Sequence, residues 1–239
     1  MNRTIEIFNK VFADSKLTLS DQQLCKMVKF YEYLNEENKQ YNLTAIIDPQ
    51  ESAIRHFVDS LMLNLSKEFL NAQTVLDVGS GAGFPGIPLA IFYDLKQFTL
   101  LDSLQKRINF LTNTVDLLNL NNVNCVHERA ETFSKQAIYR EQFDIVTARA
   151  VANLSILAEY CLPAVKCGGY FIAMKSKEIE NEVSCAYNAI SLLGGGNIEV
   201  KEYDLLDGRE RQLIIVKKIN TSPQKYPRRP GIPKKRPIT

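Results

Sequence analysis

Apolar positions in the first 70 residues follow the rhythm of helices. Within "SDQQLCKMVKFYEYLNEENKQYNL", Leu24, Met27, Val28, Tyr31 and Leu34 recur at the spacing of one helix face. Ser20 precedes this run as an N-cap, since its hydroxyl can accept a backbone N–H of the first turn. "PQESAIRHFVDSLMLNL" repeats the rhythm, with Pro49 at the helix start and Ile54, Phe57, Val58, Leu61 and Leu65 on one side. From about residue 72 the period changes. Short β-rich runs at 74–78, 98–102, 124–128, 143–148 and 169–174 alternate with "SLQKRINFLTNTVDLLNL" and "NLSILAEYCLPAV", both of helical period. Such alternation predicts a parallel sheet covered on both faces. Two later runs, 198–205 and 212–219, flank "LDGRER" with no helix between them, which predicts an antiparallel hairpin at the sheet edge. The expected organisation is a helical extension over 1–70, an α/β domain over 71–219 and a tail over 220–239.

Composition adds exclusions. A chain of 239 residues, 45% hydrophobic and 23% charged, is long enough to bury one sizeable core. No apolar run reaches the ~18 residues of a membrane span. The opening "MNRTIEIFNKVF" has no signal-peptide core, so a cytoplasmic location is expected. Five cysteines without a C-x-x-C pair read as free thiols, and two distant histidines, His56 and His127, give no metal site.

Charge is unevenly placed. From Lys217 to Thr239 there are eight Lys/Arg and no Asp/Glu, which leaves 21 basic and 27 acidic residues in the rest, a balance of −6. An acidic body with a cationic tail predicts a polyanionic partner, most simply nucleic acid. Five prolines interrupt the tail, so it is expected to extend outward and present Arg228, Arg229, Lys234, Lys235 and Arg236 to phosphates. The alternatives are a solubilising disordered end, or an arm that folds back and packs on the domain.

Candidate chemistry centres on "VLDVGSGAGFPGIPLAI", where four glycines fall within residues 79–86. The first strand precedes this turn and the first sheet-covering helix follows it. The turn therefore lies at the carboxyl end of the sheet, where open α/β folds bind ligands. Gly81, Gly83 and Gly86 fit G-x-G-x-x-G, a weak dinucleotide signal. Asp77, two positions before Gly79, opposes a pyrophosphate and suits a ligand carrying an ammonium group. "LDVGSGAG" resembles the first motif of S-adenosylmethionine-dependent methyltransferases. Asp102, about 20 residues beyond the glycines at the end of the second strand, is placed to hold ribose hydroxyls. Glu131, in "HERAETF" after the third strand, or the adjacent backbone would lie beside the adenine.

The fourth strand ends in "FDIVTARAVANL". It carries neither the Asn-Pro-Pro-aromatic motif used on exocyclic amines nor the Pro-Cys nucleophile used on pyrimidine carbons. Arg149 stands there instead. A guanidinium cannot act as a base at neutral pH, but it binds phosphate, carboxylate or a base edge. A site without a base suits a nucleophile that has no proton to lose, such as guanine ring nitrogen 7, with positioning supplying the catalysis.

Several segments together resemble the bacterial 16S ribosomal RNA guanine-N7 methyltransferases, the glucose-inhibited division protein B family. They are "YNLTAI", "RHFVDSL", "LDVGSGAGFPGIPLAI", "LLDSLQKRINFL", "RAE", "ARAVANL" and "YPRRPGIPKK", which together span nearly the whole chain. The resemblance implies a class I, Rossmann-like methyltransferase fold, with a mostly parallel seven-stranded sheet ending in the antiparallel hairpin. It implies methyl transfer from S-adenosylmethionine to one guanine of 16S rRNA in the small ribosomal subunit; a monomer is expected. It also implies cofactor contacts at Gly79, Phe84, Ala130, Glu131 and Arg149, beside Asp77, Gly81 and Asp102 from the residue reading. Two alternatives stand beside it. One is an RNA ribose 2′-O-methyltransferase with Lys175 as base, which lacks the accompanying Asp on the fourth strand. The other is a non-catalytic, cofactor-sensing rRNA-binding protein.

Overall fold

The computed structural model describes residues 2–149, 152–176 and 180–238. The N-terminal part is helical: α1 (Asn2–Asp14), α2 (Asp21–Tyr41), α3 (Pro49–Ser52), α4 (Asp59–Leu61) and α5 (Lys67–Leu70). Ser20 closes a full capping box on α2, its hydroxyl accepting from Gln23 N–H while the Gln23 side chain accepts from Ser20 N–H. The helix expected from residue 49 onward is interrupted. Residues Ala53–Val58 between α3 and α4 form a π-helical segment. A 3-10 turn, Met62–Leu65, follows α4 and leaves Leu65 exposed rather than on a buried face.

Seven strands form one sheet: β1 (Thr74–Val78), β2 (Gln97–Asp102), β3 (Val123–His127), β4 (Phe143–Arg149), β5 (Val165–Ser176), β6 (Gly195–Asp204) and β7 (Glu210–Lys218). Their order is β3-β2-β1-β4-β5-β7-β6. The first five are parallel; β7 runs antiparallel between β5 and β6. Strand β5 outruns its expected 169–174 because it is paired on both sides, from Phe143↔Val165 on β4 to Ser176↔Arg211 on β7.

The sheet carries a core on each face. On one face α1, α2, the π-helical segment, α6 (Gly86–Phe92) and α7 (Gln105–Leu118) bury Phe8, Phe30, Phe57, Leu89 and Leu111 with Val75 and Leu100. The helical extension therefore shares its core with the sheet. On the other face α8 (Ala130–Phe133), α9 (Leu154–Cys161) and α10 (Glu180–Leu192) pack on Leu76, Val146 and Phe171.

The tail corrects an expectation. It does not extend outward but runs back over the second face. Tyr226 is buried in that core, and Lys218, fully buried, donates to the carbonyls of Leu162 at 2.7 Å and Leu193 at 3.2 Å. Arg140 donates to the carbonyls of Ser222 at 2.7 Å and Tyr226 at 2.9 Å. Arg228 forks onto Glu159, with Nη2 2.6 Å from Oε2, and so is spoken for. Proline did not prevent a turn of helix here, α11 (Ile232–Lys235), because Pro233 sits in its first turn, where no N–H is needed.

Candidate functional site: a cavity along the carboxyl edge of the sheet

The strand order places the carboxyl ends of β3, β2, β1 and β4 side by side, and a cavity of about 810 Å³ runs along them. That volume is in the range of small-molecule sites. Of the residues singled out in the sequence, Gly79, Gly81, Phe84, Asp102, Ala130, Glu131 and Arg149 all line it.

The turn after β1 divides its glycines between two tasks. Gly79 (φ 76°) and Gly81 (φ 58°) adopt left-handed conformations at the cavity wall. Gly83 and Gly86 serve packing. A Cβ on Gly83 would stand 2.8 Å from Ile87 and 3.2 Å from Phe30 of α2. One on Gly86 would stand 2.9 Å from the Asp77 carboxylate and collide with Leu100.

Asp77 is the second correction. Strand alternation sends its side chain to the α6 face, away from the cavity lining. There it is buried, Oδ2 accepts Gly86 N–H at 3.2 Å, and Oδ1 has no partner. Burial pushes its pKa up to about 7.

Asp102, at the tip of β2, is 3% exposed and fixed by Gly81 N–H at 3.0 Å and Leu104 N–H at 2.9 Å. Arg107 covers its Oδ2 from the solvent side at 3.2 Å, with its own side chain 40% exposed. Two lone pairs of Oδ2 are thus engaged and one of Oδ1 is open. A diol fits this carboxylate once the exposed Arg107 swings off it. Beside it, Ala130 presents a small apolar wall. Glu131 is buried and accepts Gly231 N–H at 2.9 Å, so the tail closes this end. Lys234, on the tail, and Arg129 also reach the rim.

At the β1/β4 end, Arg149 and Phe84 are joined by Arg55, His56, Asp59 and Tyr203, to which the sequence reading gave no role. Arg149 Nη1 donates to Asp59 Oδ2 at 2.9 Å and to the Arg55 carbonyl at 3.2 Å, and Nη2 lies 3.4 Å from His56 Nδ1. Its guanidinium rests 5.2 Å over the Phe84 ring, on which His56 also stacks at 4.5 Å. Tyr203, from β6, donates to the other Asp59 oxygen at 2.8 Å. Burial, reinforced by the Arg149 cation, holds the His56 pKa down at about 3, so the ring is neutral. A signal was present in "RHFVDSL": Arg55, His56 and Asp59 lie off the apolar face, and the π-helical segment turns them together.

Lys175 does not line the cavity. Its Nζ donates to the Ala152 carbonyl at 2.7 Å and Glu182 at 2.6 Å. Among the described residues there is no metal-ligating cluster of three or more groups, and no helix is long and apolar enough to cross a membrane.

The fold matches solved methyltransferases. An O-methyltransferase from Bacillus cereus in complex with SAH superposes with a TM-score of 0.56 at 17% identity, over 80% of this chain and 91% of the other. Cofactor-bound Rv0187 from MTB superposes at 0.57 and 15% identity, over 88% and 96%. The fold is therefore that of the class I methyltransferases. Residues 23–214 match the family described as rRNA small subunit methyltransferase G, GidB. The ribosomal RNA small subunit methyltransferase G of Pediococcus pentosaceus is 46% identical over 98% of both chains. That of Desulforamulus reducens is 43% identical over 100% of both. The chain belongs to the rRNA small subunit methyltransferase G family.

Proposed function

We propose that this protein methylates ring nitrogen 7 of one guanine in 16S rRNA of the small ribosomal subunit, working in the cytoplasm as a monomer and without a metal. The observation that carries the choice of atom is the β1/β4 end of the cavity. Arg149 is a fixed cation there. His56 is neutral and weakly basic, with both nitrogens engaged, and Asp59 is occupied by Arg149 and Tyr203. Among the described residues, no group at that end is free to take a proton. Guanine nitrogen 7 has a lone pair and none to give, so alignment suffices. When bound, S-adenosylmethionine supplies a methyl group activated by a sulfonium. Asp102 holds the ribose hydroxyls, Ala130 and Glu131 flank the adenine, and the Gly79–Gly81 backbone lets the ligand lie close to the strand tips. Arg149 positions the methionine end or the target base.

The exposed tail residues Arg229, Lys234, Lys235 and Arg236 contact RNA phosphates from the rim, together with Arg129. Arg228, neutralised by Glu159, is not among them. The test is to incubate small ribosomal subunits with methyl-labelled cofactor and digest the RNA to nucleosides. Labelled 7-methylguanosine is expected. A ribose-methylated nucleoside, or no label, overturns the reading.

A further inference from the structure

Thr44 stands on the cavity wall in the segment after α2, beside His56 at the β1/β4 end. Its position is rigid. The Asn38 side chain clamps its backbone on both sides, accepting Thr44 N–H at 2.9 Å and donating to Thr44 C=O at 2.9 Å. The hydroxyl oxygen accepts Ile46 N–H at 3.0 Å and lies 2.8 Å from His56 Nε2.

The tautomer of His56 decides what that hydroxyl does. Nδ1 lies 3.4 Å from Arg149 Nη2, which can only donate, and the Arg55 carbonyl that also neighbours the ring already accepts Arg149 Nη1, so accepting is the role that serves both. The proton therefore sits on Nε2 and is donated to Thr44. Burial beside Arg149 keeps a second proton off the ring. The Thr44 oxygen then accepts twice and both its lone pairs are used. Its own proton has no acceptor among the described residues and must be donated to whatever occupies the cavity. A hydroxyl that could normally donate or accept is thus converted into an obligate donor.

Sheet order says which occupant it meets. The ribose-holding Asp102 ends β2, whereas Thr44 and His56 stand with Arg149 at the end of β4, two strands along. On the reading above, the target base enters at that end. Guanine and adenine both offer nitrogen 7 as an acceptor, so the reacting atom cannot tell them apart. They differ at position 6, where guanine has an oxygen acceptor and adenine an amino donor. An arginine fork across O6 and N7 would block the nitrogen to be methylated. A single donor aimed at O6 would not.

We propose that the Thr44 hydroxyl donates to O6 of the target guanine and excludes adenine, with His56 as the positioning residue that fixes the direction of that bond. This inference rests on the nitrogen-7 reading above.

The experiment compares kcat/KM on small subunits reconstituted with guanine or 2-aminopurine, which lacks O6, at the methylated position. The wild type is expected to favour guanine. In Thr44→Val, activity on guanine should fall about tenfold and the preference should collapse, because enzyme and base would each lack the same bond. The double comparison cancels the intrinsic nucleophilicity of the two bases. Thr44→Ser should restore the preference. Cofactor affinity, measured by calorimetry, should be unchanged in both variants. An unchanged preference in Thr44→Val overturns the proposal, as does weakened cofactor binding with the preference retained. A wild type indifferent to O6 overturns it without any variant. If the wild-type product is not 7-methylguanosine, the nitrogen-7 reading itself fails first, and this proposal with it.

Discussion

At the β2/β3 end of the cavity, Asp102 is held by Gly81, Leu104 and Arg107, all within 21 positions of it. At the β1/β4 end, Arg149 is held by Asp59, His56 and Arg55, which are 90, 93 and 94 positions away. Asp59 in turn meets Tyr203 across 144 positions. The first end is assembled by consecutive strand tips and their turns. The second is assembled where the helical extension, β4 and the C-terminal hairpin converge, and Arg55 pins the hairpin loop further through Asp207 at 2.6 Å. On the proposed reading, cofactor binding resides where local geometry suffices. The end that would meet the substrate is supplied by elements outside the repeated β-α units, so it can vary while the sheet stays the same.

The hardest way to break this contrast is at Arg149. Arg149→Ala leaves Asp59 buried with one partner lost, which costs about 3–5 kcal/mol of stability as well as activity. Arg149→Lys keeps the charge but loses the planar fork, and its activity should fall by roughly a hundredfold with the fold intact. Full turnover in the lysine variant would show that charge alone suffices there.

At the opposite end, the tail offers a test of similar size. Arg228→Ala strands the buried Glu159 carboxylate, which is 1% exposed, and should cost about 3 kcal/mol, read as a lowered melting temperature. Unchanged melting would mean that the strap over the second face is loose. Asp102→Ala should weaken cofactor binding by roughly ten- to a hundredfold, equivalent to ~1.5–3 kcal/mol. Calorimetry showing wild-type affinity in the folded variant would remove Asp102 from the site.

Two buried groups sharpen the contrast through pH. His56 titrates at about 3 in the fold against an ordinary 6.5, because burial and Arg149 oppose its charge. As pH falls below 6.5 the unfolded chain takes up a proton that the folded chain refuses, so stability is full above that range and lost towards pH 3. Asp77 titrates at about 7 against 3.8, so the folded chain keeps a proton that the unfolded chain releases. Its contribution is present below 3.8 and lost as pH rises through 7. Melting curves across this range should show His56→Asn with a flatter acid limb and Asp77→Asn with a gain concentrated at neutral and alkaline pH. Parallel curves would contradict both assignments. The smallest effect belongs to the rim. The double variant Lys235→Ala, Arg236→Ala should leave melting unchanged and reduce the salt slope of RNA binding by about one unit per lost phosphate contact.

The sequence by itself determined the seven strands, because short β-rich runs bounded by turns are local signals, and their boundaries shift by few residues outside β5. It also determined that Gly79, Gly81, Asp102, Glu131 and Arg149 would converge, since they end strands or lie in the turns after them in a parallel sheet, while Phe84 and Ala130 were named by the family resemblance. Asp77 was misplaced for a reason equally local: one residue along a strand reverses the face, and the α6 packing claimed that face. The tail misled because its prolines and charges describe an unpartnered chain, whereas Glu159, Glu131 and Arg140 from distant elements give it partners. Thr44 and Tyr203 could not be joined to His56 and Asp59 from spacing at all. Their meeting depends on a π-helical turn and on which sheet face the extension covers, and both are settled only when the aromatic core of Phe30, Phe57 and Phe84 packs.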